Sequence, residues 1–151
     1  MKILVQSEDF DVSDELNLLR QSSPNIGAVV SFVGLVRELN EDAIQTLTLE
    51  HYPGMTEKSL HEIAQQALTR WDVLDVTIIH RVGTLRLQDQ IVLVAVTSAH
   101  RHNAFLACEF IMDYLKTQAP FWKKEHTQHG EHWVEAKSID DKASQRWELK
   151  N

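Results

Sequence analysis

The segment Lys116 to Glu125, KTQAPFWKKE, constrains the fold most, because Pro120 stops any single regular element from running through it. Proline lacks the amide proton and disfavours a helical residue before it, so a helix arriving here cannot easily pass Ala119. Lys116 therefore falls at the closing end of a helix. Phe121 and Trp122 are strong strand formers, and the alternation of a strand sends Lys123 to one side and Lys124 to the other. The ordinary reading is a lysine offsetting the helix dipole, followed by a solvated Lys-Lys-Glu run. The sharper reading is that Lys116 and Lys123 converge across the break as a chemical pair.

Around this break the hydrophobic pattern predicts a series of short elements. Residues 2–6 read as a strand, and Val12 to Leu19 as a helix capped by Ser13 or Asp11. After the Ser23-Pro24-Asn25 turn, IGAVVSFVGLVR is apolar on both faces, as in a buried strand. Gly27 and Gly34 inside it predict a bulge, a bend or a close backbone approach. Glu38 to Ala43 reads as a mobile loop and Ile44 to Tyr52 as a strand. Pro53-Gly54 leads into the clearest helix, with Leu60, Ile63, Ala64, Ala67, Leu68 and Trp71 on one face. Val73–Ile79 and Ile91–Val96 read as strands joined through Gly83 and LRLQDQ. His100 to Lys116 is a second long helix with Ala104, Ala107, Cys108, Ile111 and Leu115 inward. Strands FWKKEH and HWVEAK and a helix near Asp140 to Trp147 complete the chain. The expectation is an α+β fold, one domain over residues 1–151, with helices packed on a largely antiparallel sheet.

Composition narrows the function. A chain of 151 residues with 43% hydrophobic content is of one-domain size and buries roughly 70% of its extended surface on folding. The formal net charge of −7 argues against general binding to nucleic acid or an anionic membrane. The start, MKILVQSEDFDV, lacks the marks of a signal or transit peptide, and no later run is apolar for long enough to span a membrane, so a cytoplasmic protein is expected. Cys108 is the only cysteine, which excludes an internal disulfide and a Cys-x-x-Cys pair. Mid-helix on an apolar face, it reads as a buried and inert thiol.

Two groups of charge stand out. His100, Arg101 and His102 fall where a buried strand gives way to a helix, whose N-terminal amides and dipole suit a bound phosphate or carboxylate; the ordinary alternative is a solvated turn. His126, His129 and His132 recur every third residue, but Gly130 and polar surroundings mark a solvated loop rather than a metal centre. A lysine acting as a base near neutral pH must lose about three units from ~10.4, at a cost of roughly 4 kcal/mol. If Arg101, Lys116 and Lys123 share one pocket they can depress one another; if not, they remain protonated anchors.

Taken together, GAVVSFVGLVR, LEHYPGMTEK, IHRVGTL, VTSAHRHNAF, IMDYLKTQAPFWKKE and HWVEAK resemble, in order and spacing, the large catalytic subunits of molybdopterin synthase. The resemblance spans nearly the whole chain. It implies an α/β-hammerhead-type domain that forms a homodimer and binds a small ubiquitin-like sulfur-carrier subunit. The carrier's C-terminal Gly-Gly tail, as a thiocarboxylate, would enter a pocket and pass two sulfurs to cyclic pyranopterin monophosphate, giving the dithiolene of molybdopterin. Matched motif by motif, the resemblance assigns catalysis to Lys116 and Lys123. It assigns the anionic substrate to Arg37, His100 and Arg101, and apolar pocket positions to Phe32 and Met112. Lys137 stands where the family often has arginine after HWVEA, keeping the charge but not the bidentate contact. Gln88 replaces a usual turn glycine, a departure expected to leave the pocket untouched. Neither a cofactor nor a metal is implied. The competing classes are a non-catalytic phosphate-binding module and an enzyme forming a Schiff base through lysine.

Overall fold

The computed structural model describes residues 1–38, 44–127, 130–134 and 138–148. Twelve elements follow one another: β1 (Lys2–Gln6), α1 (Val12–Arg20), β2 (Ala28–Leu35), β3 (Ile44–His51), α2 (Met55–Arg70), β4 (Asp75–Arg81), β5 (Gly83–Arg86), β6 (Gln90–Ser98), α3 (Arg101–Gln118), β7 (Phe121–Thr127), β8 (Gly130–Val134) and α4 (Ser138–Glu148). The strands form two four-stranded sheets, ordered β1-β4-β6-β2 and β5-β3-β7-β8. All pairings are antiparallel except that of β1 with β4. The α+β architecture with helices on largely antiparallel sheets is thus borne out.

The first sheet carries the main core. Val76 and Ile78 of β4 and Val92, Val94 and Val96 of β6 alternate toward α2 and α3, where they meet Leu60, Ile63, Ala107, Phe110 and Ile111. The opposite face, with Ile79, Leu93 and Ala95, is covered by Phe10 and by Leu19 of α1. That helix is capped by Asp11, whose carboxylate accepts from the Asp14 amide at 3.0 Å; Ser13 lies inside the helix. Trp71 packs edge-on against Phe110 and Trp147, which joins α2, α3 and α4. Asp113 holds α4 on α3 by accepting from Trp147 Nε1 at 2.6 Å and from Arg146 at 2.9 Å.

Gly27 makes the close approach that the sequence predicts: a Cβ there would stand 2.1 Å from the Ala99 carbonyl oxygen. At Gly34 the β2–β6 register shifts, and a Cβ would crowd Val92 Cγ1 at 2.9 Å. The link from β4 to β6 is richer than its sequence suggests, since Gly83–Arg86 forms β5 and pairs with β3 in the second sheet. Helix α3 runs two residues past Lys116, to Gln118, before Ala119 turns extended at φ −77°, ψ 131°. The buried Thr56 hydroxyl fixes the break by donating to the Pro120 carbonyl at 2.9 Å. Most of the expected Glu38–Ala43 loop lies outside the described residues. Among the described residues no helix is long and apolar enough to cross a membrane.

Candidate active site

Where the C-terminal end of α3 turns into β7, a cavity of about 720 Å³ opens between the two sheets. The strand β2 and the two residues after it supply one wall, Phe32 through Arg37. Helix α3 supplies Leu115 and Lys116, the proline turn Ala119, and β7 Phe121, Lys123 and Glu125. Val92 and Ile91 come from β6, Val134 from β8 and Asp140 from α4. Each position follows from local structure. The missing side chain at Gly34 admits Val92, whose Cγ1 would lie 2.9 Å from a Cβ there, and the Phe32 ring packs alongside at ordinary contact distance, Cε1 3.4 Å from the same point. Strand alternation turns Phe121, Lys123 and Glu125 to the cavity and Trp122, Lys124 and His126 to the outer face.

The structure therefore brings four of the expected residues together: Phe32, Arg37, Lys116 and Lys123 all line this cavity. Three positive side chains converge there against Glu125 and Asp140. Lys124 points elsewhere, paired with Glu131 at 3.2 Å and lying 4.9 Å from the Trp133 ring centre. Met112 is outside the lining and packs on the main core instead. His100 and Arg101 are exposed at the opposite end of α3. Fifteen residues separate Arg101 from Lys116, or about 22 Å at ~1.5 Å per residue. Within one chain Arg101 cannot join the two lysines. His100 caps α3 without a side-chain hydrogen bond, and no acidic residue occupies the first turn.

Lys137 and His129 lie outside the described residues. His126 is engaged on the outer face, with Nε2 3.1 Å from the Thr48 hydroxyl and Nδ1 3.1 Å from Glu131. No group of three or more histidine, cysteine, aspartate or glutamate residues among the described ones is arranged to hold a metal. Cys108 is buried against β6, its thiol directed to the Val94 carbonyl at 3.8 Å. Burial, with a contribution from Glu109, pushes this thiol up to about 12, so it stays a thiol at any physiological pH.

Two lining residues depart from the sequence reading. Gln88 was expected to leave the pocket untouched, yet it lines the cavity. It occupies the third position of a turn that Asp89 closes on the Arg86 carbonyl, and its φ of +73° is the conformation glycine adopts readily. His80, which the sequence reading passed over, is 4% exposed and lines the cavity from β4. Its ring stacks on Phe121 with centres 3.7 Å apart and planes 17° apart. Burial, only partly offset by a raising hydrogen bond to Arg81, presses its pKa down to about 3, with the positive charges of Lys116 and Lys123 adding to the effect. The available signal was a lone histidine continuing the buried face of DVTIIHR.

Fold and cavity define an α+β domain whose lysine- and arginine-lined pocket is built to take an anion beside an apolar surface. The family described as MoaE protein matches residues 5–118. The molybdopterin synthase catalytic subunit of Ralstonia nicotianae is 57% identical over 146 residues, covering 96% of this chain and 83% of the relative. That of Vibrio cholerae is 56% identical over 148 residues, covering 97% and 98%. The solved structure of molybdopterin cofactor biosynthesis protein E from Burkholderia multivorans superposes with a TM-score of 0.84 at 55% identity, covering 100% of this chain and 99% of that one. The chain belongs to the MoaE protein family, the catalytic subunits of molybdopterin synthase, an enzyme of molybdenum cofactor biosynthesis.

Proposed function

We propose that this cytoplasmic enzyme transfers sulfur from the C-terminal thiocarboxylate of a small ubiquitin-like carrier to cyclic pyranopterin monophosphate, forming the dithiolene of molybdopterin. One observation carries the reading: Lys116, Lys123 and Arg37 converge on one cavity while the chain's only cysteine is buried with its pKa near 12. A sulfurtransferase needs a thiolate, persulfide or thiocarboxylate, and this chain offers none of its own. The sulfur arrives on a partner, in keeping with the word subunit in the relatives' names. A Gly-Gly tail has no side chains to exclude it from a narrow channel, and its terminal negative charge is drawn to the lysines. Holding that terminus beside the pterin supplies an effective concentration that free sulfide lacks. Each carrier brings one sulfur, so one dithiolene consumes two carriers.

Arg37 serves the phosphate from the same chain, and Phe32 offers the heterocycle an apolar face. Because His100 and Arg101 stand about 22 Å from Lys116 along α3, they act on a cavity only as parts of a second copy. The protein is accordingly a homodimer with two cavities, each completed by the neighbour's His100 and Arg101, and the family resemblance adds Lys137 as a further basic residue contributed across the dimer.

Reconstitution tests the reading. The purified chain with pterin substrate and a thiocarboxylated carrier should make dithiolene, and Cys108→Ala should do so equally well. A carrier shortened by its last two residues should bind yet transfer nothing. Full turnover with sulfide alone, or a folded but inactive Cys108→Ala protein, would overturn the tail-donor mechanism.

A further inference from the structure

His80 is set up as more than a packed core residue. It continues the face of Val76 and Ile78 toward α3, so strand alternation accounts for its burial. The stacked Phe121 ring fixes its plane, and the Pro120 break fixes Phe121. Its Nδ1 lies 2.8 Å from the Arg81 carbonyl oxygen. A carbonyl only accepts, so Nδ1 carries the proton and donates it. With its pKa near 3 the imidazole holds one proton at neutral pH, which leaves Nε2 as a bare lone pair.

Among the described residues nothing bonds Nε2, yet no buried side-chain nitrogen or oxygen among them lacks a partner. Nε2 is therefore accessible, and the surface it reaches is the cavity that His80 lines. Buried polar side-chain atoms are paired with protein or with ordered water, so an Nε2 that no described protein group bonds is open to a molecule in the cavity. This one keeps an acceptor of fixed tautomer and fixed plane open to a ligand. The neighbouring cations Arg37, Lys116 and Lys123 suit anionic oxygens, which a lone pair repels; Nε2 suits the opposite partner, a neutral N–H.

We propose that His80 is a substrate-orienting residue whose Nε2 accepts a hydrogen bond from an N–H on the edge of the pterin ring while the lysine and arginine side chains take the negative charges. This rests on the reading of the cavity as the pterin phosphate site, and it divides that site into a neutral-donor end and an anion end. Such a division fixes which way round the heterocycle lies and so which carbons face the incoming sulfur.

The test uses the full chain labelled with nitrogen-15 in its histidine rings. Without ligand, the His80 resonances should report a neutral, Nδ1-protonated ring throughout the physiological pH range. Adding cyclic pyranopterin monophosphate should move the Nε2 resonance in the direction of a hydrogen-bonded acceptor, whereas inorganic phosphate should leave it in place. In steady-state assays with a thiocarboxylated carrier, His80→Phe keeps the ring stack and removes the acceptor. It should raise KM for the pterin about tenfold with a much smaller change in kcat, and His80→Gln, which returns an acceptor near Nε2, should recover part of the loss. An Nε2 resonance unmoved by pterin in a protein that turns over, or an unchanged KM in His80→Phe, overturns the proposal. If His80→Phe does not fold, the resonance decides alone. A wild-type protein that neither binds pterin nor forms dithiolene would instead overturn the function itself, and the ligand-free tautomer would show whether the acceptor geometry stands without it.

Discussion

Lys116 is exposed on the last turns of α3, and its side chain adds little to the core beneath it. Replacing it with alanine should leave the thermal midpoint nearly unchanged while dithiolene formation falls by about 10²–10³-fold or more, the effect of losing a donor aimed at developing negative charge. Lys123→Ala should act in the same direction more mildly; turnover like wild type in Lys116→Ala would remove that residue from the chemistry. His80 gives a different residue-scale expectation, in stability rather than rate. Unfolded, its imidazole takes up a proton as pH falls through 6.5; folded, it does so only near 3. Between those values the unfolded chain binds more protons, so the contribution of His80 is complete above about 6.5 and is lost as pH falls toward about 3, by at most ~1.4 kcal/mol per pH unit. Urea unfolding at about pH 7 and about pH 5 should show a shallower decline for His80→Phe than for wild type. Parallel declines would mean that His80 is not held neutral.

The elements that position these residues were legible to different degrees. Pro120 announced the helix-to-strand change because its effect is local and covalent, and α2 was legible because its apolar stripe keeps one period from Leu60 to Ala67. Strand β5 was not: only four residues long, it takes its identity from pairing with β3, a partner more than thirty residues away in sequence. The cap of α1 was ambiguous for a local reason: Asp11 and Ser13 were both candidates until the backbone placed the Asp11 carboxylate on the Asp14 amide. Gly27 was recognisable as a close approach, but its partner was not, and that partner matters. The oxygen it admits belongs to Ala99, one residue before the cap of α3. Gly27→Ala must push backbone against backbone and displace the start of α3, costing about 1–3 kcal/mol. Chemical denaturation measures this directly, and a loss well under ~0.5 kcal/mol, the range of ordinary surface substitutions, would show that the two segments yield more freely than their spacing allows.

At the scale of the molecule, what the sequence could not show is which charges share a space. Lys116 and Lys123 lie near each other in the chain and reach one cavity, whereas Arg101, on the same helix as Lys116, is carried to the other end by helical rise alone. Gln88 and His80 enter the cavity from separate loops and strands, which no local pattern reveals. The separation of Arg101 from Lys116 makes the dimer testable through activity. Let one chain carry Lys116→Ala and the other Arg101→Ala, each inactive or nearly so alone. In a mixed dimer one cavity combines the intact Lys116 of its own chain with the intact Arg101 of the neighbour, while the other cavity lacks both. An equal mixture allowed to exchange subunits is half heterodimer, so about a quarter of the wild-type number of cavities should be restored by symmetry, and the rate should rise accordingly. If Arg101 served its own chain's cavity, every cavity in the mixture would lack one residue or the other and no activity would return. Sedimentation of the same mixture confirms that dimers have formed, so an absent rescue in a dimeric sample would place Arg101 outside the shared site.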